Sequence, residues 1–109
     1  MTLPARFSSR ARREVAQVLA GLEHPAAGRR LRQALETAAR RIGQHPEIGR
    51  RVPALAAERY RFWPVTGFPY LLVYLSATTP PSIARFVHMA QDLPPLLAEL
   101  RDDDRSRQD

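Results

Sequence analysis

The apolar residues of this chain change their repeat once, near residue 58, and that change limits the folds open to it. Before it they recur at helical spacing. Val15, Val18, Leu19 and Leu22 make one stripe, and Leu31, Leu35, Ala38, Ala39 and Ile42 make a second. After it, Tyr60 and Phe62 alternate with Arg59, Arg61 and Trp63, the period of two expected of a strand with unlike faces. Helices gathered first and strands gathered last predict an α+β domain rather than alternating βαβ units.

Local signals divide these regions into elements. Leu3 to Phe7 is a short extended segment. Ser8 and Ser9 are N-cap candidates for the first helix, because a hydroxyl can accept an otherwise unpaired N–H of the first turn. Gly21 and His24-Pro25 close that helix, and Pro25 suits the first turn of the next. Gly43 and Pro46 end the second helix, so the two are expected to form an antiparallel hairpin. Residues 49–57, with Pro53, read as a linker.

Thr66-Gly67-Phe68-Pro69 reads as a turn between strands. Tyr70 to Ser76 is apolar at nearly every position, as for a central strand buried on both faces. A loop with Pro80-Pro81 precedes a last strand, Ile83 to Met89. If that strand is regular, Ile83, Arg85, Val87 and Met89 share one face. Pro94 to Leu97 opens a short terminal turn or helix. The expected order is β-α-α-β-β-β. The helical hairpin covers one face of a mainly antiparallel sheet, its last three strands form a meander, and strand one pairs at an edge. Residues 1–100 make one domain, and residues 101–109 a polar, disordered tail.

Composition narrows the chemistry. All 17 basic residues are arginine, and the formal charge is +6. The charge is uneven: residues 1–61 carry thirteen Arg against five Glu, net +8, and residues 62–109 carry four Arg against six acids, net −2. A basic domain expects an acidic partner, protein or nucleic acid. Lysine is absent, which removes Schiff-base chemistry and the lysine of a phosphate-binding loop. Cysteine is absent too, so disulfides, thiolate catalysis and cysteine-held zinc are excluded. His24, His45 and His88 fall in three separate elements, and no metal site or cofactor is expected. The longest apolar run, Phe68 to Leu75, contains Pro69 and is far short of a membrane span, which needs about 20 residues. A cytoplasmic location is expected.

Several arginines have two readings. Arg29, Arg30, Arg32, Arg40 and Arg41 on the second helix are either a solvated face or a basic binding surface. Arg59, Arg61 and Trp63 are either the polar outward face of an edge strand or a row that grips phosphates and stacks a base. Arg85, between apolar neighbours, requires a structural acid or a functional groove. Histidine is the side-chain type suited to proton transfer near neutral pH, so His88 is a candidate acid–base group, or a structural histidine.

Four stretches together resemble the RelE/ParE superfamily of bacterial toxins, in its ParE-like branch. They are Ser8-Ser9-Arg10-Ala11-Arg12-Arg13-Glu14-Val15, His45 to Arg50, Arg61 to Tyr74 with its Phe68-Pro69-Tyr70 turn, and Arg85 to Pro94. The resemblance spans residues 3–100. It implies the toxin of a type II toxin–antitoxin pair, neutralised by a cognate ParD-like or other antitoxin with an acidic C-terminal segment. For the ParE-like branch it implies inhibition of DNA gyrase by protein–protein contact, without catalysis. For RelE-like members it implies ribosome-dependent mRNA cleavage instead. A non-toxic, antitoxin-bound member is a third possibility.

The chain departs from the pattern at Gln91, where a second basic residue is usual, and in its proline-rich loop at 77–82. The lysines and C-terminal tyrosine of many RelE-type nucleases have no counterpart, which favours the gyrase-type reading. Were the chain a nuclease, Arg59, Arg61, Arg85 and His88 would be the reduced catalytic set. The residues expected to contact antitoxin or target are Arg29, Arg32, Arg40, Arg59, Arg61, Trp63 and Arg85.

Overall fold

A computed structural model describes residues 2–101 of the chain. The expected tail therefore lies almost wholly outside the described residues. Its first residue, Arg101, instead continues the terminal helical turn and donates to Ala54 O at 3.4 Å.

The elements follow the expected order. Strand β1 is Arg6–Phe7, helix α1 Ser9–Gly21, helix α2 Pro25–Gln44, strands β2, β3 and β4 are Tyr60–Pro64, Tyr70–Leu75 and Ser82–His88, and a short helix α3 is Leu93–Leu96. Ser8 caps α1: its Oγ accepts the Ala11 N–H at 3.1 Å and its backbone is extended. Pro25 opens α2, where its missing N–H has no intrahelical partner to lose. Gly67, at φ +84°, takes the left-handed turn between β2 and β3.

The sheet order is β1-β4-β3-β2. The meander β2-β3-β4 is antiparallel, and β1 adds to the β4 edge in parallel, which makes the sheet mixed. Both sheet faces are buried. On the helix side, Ala11 of α1 and Leu31, Leu35, Ala38 and Ile42 of α2 pack on Leu72, Tyr74, Ile83 and Phe86. On the far side, Tyr60, Phe62, Val73 and Val87 are covered by Ala56, Leu97 and Leu100. The linker and the terminal turn are thus a second layer of the core, a role not assigned to them from the sequence although Leu93, Leu96, Leu97 and Leu100 stand at helical spacing.

The regular alternation expected of the last strand fails at one point. Tyr74 pairs with Ile83 but Val73 pairs with Arg85, so Ala84 is an extra residue, a β-bulge. The bulge turns Ile83 to the helix side while Val87 stays on the far side. Ser8 Oγ, which accepts from Ala11, also donates to the Ala84 carbonyl at 3.1 Å. The kink and the start of α1 are thereby tied together.

The outward N–H groups of β2, and of β4 beyond β1, are taken by the chain itself. Phe62 exchanges both backbone bonds with Arg50, Tyr60 N–H goes to Ala57 O, and Pro64 has no N–H. On β4, Phe86 N–H goes to the Glu14 carboxylate and His88 N–H to Gln91 Oε1. Along these stretches the sheet offers no run of free N–H groups to a partner strand.

Candidate functional site

The hairpin carries a groove that the domain does not fill. Of the α1 residues only Ala11 is fully buried, and Val15, Val18 and Leu19 are half-covered. Between α1 and α2 lies an apolar groove of about 520 Å³. Phe7, Val15, Ala16, Leu19 and Leu35 line it, and Arg12, Arg32 and Glu36 stand at its rims. Of the arginines expected to bind a partner, Arg32 belongs to this groove. Arg40 lies on the same helix over a neighbouring hollow, where it reaches Thr37 Oγ1 at 3.4 Å. Arg29 is exposed near the start of α2. The three do not converge on one point.

The strand arginines do not form a row. Arg59 lies just before β2, with its guanidinium carbon 5.2 Å from the Tyr60 ring centre. Arg61 turns back onto the chain. Its Nη1 donates to Gly49 O at 2.9 Å and Glu47 O at 3.2 Å, and its Nε to Ser76 Oγ at 3.3 Å. Arg61 therefore clamps the connection after α2. Trp63 is half-buried against the helix-side core.

Tyr74 completes that clamp. Its hydroxyl donates to Pro46 O at 2.6 Å and accepts the Gly49 N–H at 2.9 Å. Gly49 is required by this approach, since a Cβ there would come within 2.7 Å of the Tyr74 ring. Burial pushes the Tyr74 pKa above its ordinary value, opposed by the Gly49 N–H and the Arg61 charge. The hydroxyl thus stays a donor through the neutral range.

Among the described residues Arg85 is the one buried charged side chain, 2% exposed. Its Nε donates to Glu14 Oε2 at 2.9 Å, and its Nη1 to Leu96 O at 2.9 Å and to the Glu99 carboxylate at 2.5 Å. Arg10 approaches the same Glu99 at 2.7 Å. Of the two readings of Arg85 the structure takes the ion-paired one. The sequence reading did not name Glu14 or Glu99 as its partners. A signal for Glu14 existed: it stands on the same stripe as Ala11, Val15 and Val18, an acid where an apolar residue is expected.

His88 is half-buried, its Nδ1 accepts the Ala90 N–H at 3.0 Å, and its ring meets Tyr70 edge-on at 5.1 Å. His88 and Arg85 share a hollow of about 560 Å³ with Glu14, Tyr70 and Gln91. Arg61 is remote from it. Arg61 is paired with Tyr74 and His88 with Tyr70, so the two lie on opposite sides of β3 and are offset along it by four positions, ~13 Å. The four residues of the nuclease set are not brought together, and the buried member is neutralised by two carboxylates. Among the described residues, no cluster of histidine, cysteine or carboxylate side chains could hold a metal ion.

This arrangement, two helices with an open groove on a short mixed sheet, can be set against known families. Residues 5–93 match the family model described as ParE toxin of type II toxin-antitoxin system, parDE. The chain belongs to the ParE toxin family. A comparison with curated proteins returned no match. Membership of the ParE family makes it the toxin of a type II pair and implies a cognate ParD antitoxin. The match runs from the residue before β1 to the start of α3, so it includes both helices, the Arg61 clamp and Arg85. No described helix is long and apolar enough to cross a membrane.

Proposed function

We propose that this ParE-family toxin acts in the cytoplasm by binding DNA gyrase, and that its antitoxin neutralises it by seating an amphipathic, acidic segment in the α1–α2 groove. The observation that carries the first part is the state of Arg85. A buried guanidinium whose charge is paired with Glu14 and Glu99, and which also donates to Leu96 O, is committed within the fold, which argues against its gripping a scissile phosphate. With Arg61 spent on backbone carbonyls, general acid–base cleavage would rest on His88 alone. The second part rests on the half-covered apolar stripe of α1 and on a net +8 within residues 1–61. Both suit a helix laid into a groove, with acidic side chains at the arginine rims.

The deciding experiment is supercoiling of relaxed plasmid by gyrase in the presence of the purified toxin. Inhibition at micromolar toxin, relieved by antitoxin, is expected. Unimpaired supercoiling together with cleavage of mRNA on translating ribosomes would replace this reading with the interferase one. Growth that continues during expression without antitoxin would identify a non-toxic member.

A further inference from the structure

On the opposite flank of α2 from the antitoxin groove, a second cleft of about 650 Å³ separates the helix from the β2–β3 turn. Its floor is one helical face, Arg30, Ala34, Thr37, Ala38 and Arg41, at steps of three and four. Its wall is Trp63 and Phe68, both half-buried. Ala34 and Ala38 are the reason the cleft exists, because small side chains there leave the space open against the indole. Among the described residues, no acidic one lines it. Among the described residues, neither the Arg30 nor the Arg41 guanidinium has an ion-pair or hydrogen-bond partner. Gln33, Thr37 and Thr66 add uncharged polar groups, so the cleft is uncharged in the middle, with an apolar strip at Ala34 and Ala38, and positive at both ends.

We infer that this cleft is a separate docking site for an acidic peptide segment of a protein partner, with carboxylates on Arg30 and Arg41 and an apolar side chain between them over Ala34 and Ala38. The spacing sets the length. Arg30 and Arg41 are eleven helical residues apart, ~16 Å, which about five residues of extended peptide span. A bidentate carboxylate fits each guanidinium fork. A peptide is favoured over a nucleic acid by the wall. Trp63, half-buried against the core, and Phe68 give the cleft an apolar wall opposite Ala34 and Ala38, which suits an apolar side chain between two carboxylates. The inference goes beyond the antitoxin reading, because the two sites lie on different flanks of α2 and share no lining residue.

Trp63 is the only tryptophan of the chain, so its emission reports on this cleft alone. The full-length protein is titrated with the synthetic peptide Glu-Glu-Ala-Leu-Glu-Glu, with the same peptide carrying Lys for Glu, and with oligouridylate. A saturable shift of Trp63 emission with the Glu peptide only is expected. Arg41→Gln weakens that binding about tenfold, Arg30→Gln/Arg41→Gln more, and Arg13→Gln on α1 leaves it unchanged. Ala34→Leu, which fills the cleft without touching charge, abolishes it. Absence of the shift, or a shift that persists in the double variant, overturns the inference. An equal or larger response to oligouridylate overturns it in favour of a nucleic-acid site. Val15→Asp in the antitoxin groove leaves the Glu-peptide response intact, so a failure here and a failure of the antitoxin reading are told apart.

Discussion

Glu14 and Arg85, seventy-one positions apart in the chain, are joined twice, through Arg85 Nε at 2.9 Å and Nη2 at 2.8 Å to Glu14 Oε2, and the other oxygen, Oε1, accepts the Phe86 N–H at 2.9 Å. One carboxylate thus pairs the buried charge and caps the open edge of β4. It holds α1 against the sheet where β1 has already ended. Removing it leaves a buried guanidinium short of a partner and a backbone N–H unpaired. Glu14→Ala is expected to cost about 3–5 kcal/mol of stability, read from the denaturant midpoint at constant slope. Glu99 is half-exposed, and the same change there is expected to cost about 1 kcal/mol or less. Equal costs would mean that the two carboxylates share the charge evenly.

Arg61 is expected to act on stability and not on the target. Arg61→Ala deletes the donors to Glu47 O, Gly49 O and Ser76 Oγ. A loss of about 1–3 kcal/mol is expected, with faster hydrogen exchange confined to residues 46–50. Gyrase inhibition per folded molecule should stay the same. A variant as stable as the parent but inactive would place Arg61 at the target interface.

Tyr74 makes the stability depend on alkaline pH. Its folded pKa lies above the ordinary tyrosine value of 10.0, because burial disfavours the phenolate. Above pH 10 the unfolded chain loses this proton while the folded chain keeps it, so the unfolded state binds fewer protons and stability falls as pH rises. The contribution is complete below the unfolded pKa and is lost as pH climbs through the folded one. Tyr74→Phe is expected to flatten this alkaline decline while lowering stability at neutral pH, since Pro46 O and Gly49 N–H lose their partner. Unfolding midpoints from neutral pH to pH above 10 provide the check.

The groove between α1 and α2 is expected to govern antitoxin binding with little effect on folding. Val15 and Leu19 are half-covered, so Val15→Asp leaves the core intact and puts a charge where an apolar side chain would seat. Affinity for ParD antitoxin should fall about a hundredfold or more by calorimetric titration. An unchanged affinity would move the antitoxin to another face.

Much of the architecture was legible because local patterns carried it. The helix stripes, the Ser8 cap, Pro25 and the change of repeat near residue 58 all have short-range causes, and each marks an element that formed. The bulge at Ala84 was not legible, because it follows from how β4 must meet both β3 and the start of α1. Residues 49–57 and 93–100 read as connection and terminus, yet Ala56, Leu97 and Leu100 bury the far side of the sheet. Leu93, Leu96, Leu97 and Leu100 do stand at helical spacing, and Val52, Leu55 and Ala56 repeat its first steps. The prolines at 53, 94 and 95 make both stretches read as breaks, and which sheet face they cover depends on contacts with distant strands. Of the candidate site, the basic character of α2 was readable, but its two clefts were not, since each has a second wall from a distant element.

Arginine content and order of elements were therefore determined by the sequence alone: a basic helical half, a β half and a ParE-like string of motifs. What each arginine does was decided only by the tertiary structure. Arg85 is neutralised by carboxylates from α1 and the C-terminal segment, Arg61 is absorbed by backbone carbonyls, and Arg30 and Arg41 face an empty cleft. The reason is physical. A guanidinium is equally charged in every setting, and whether it binds a partner depends on the acceptors that folding brings within about 3 Å of it.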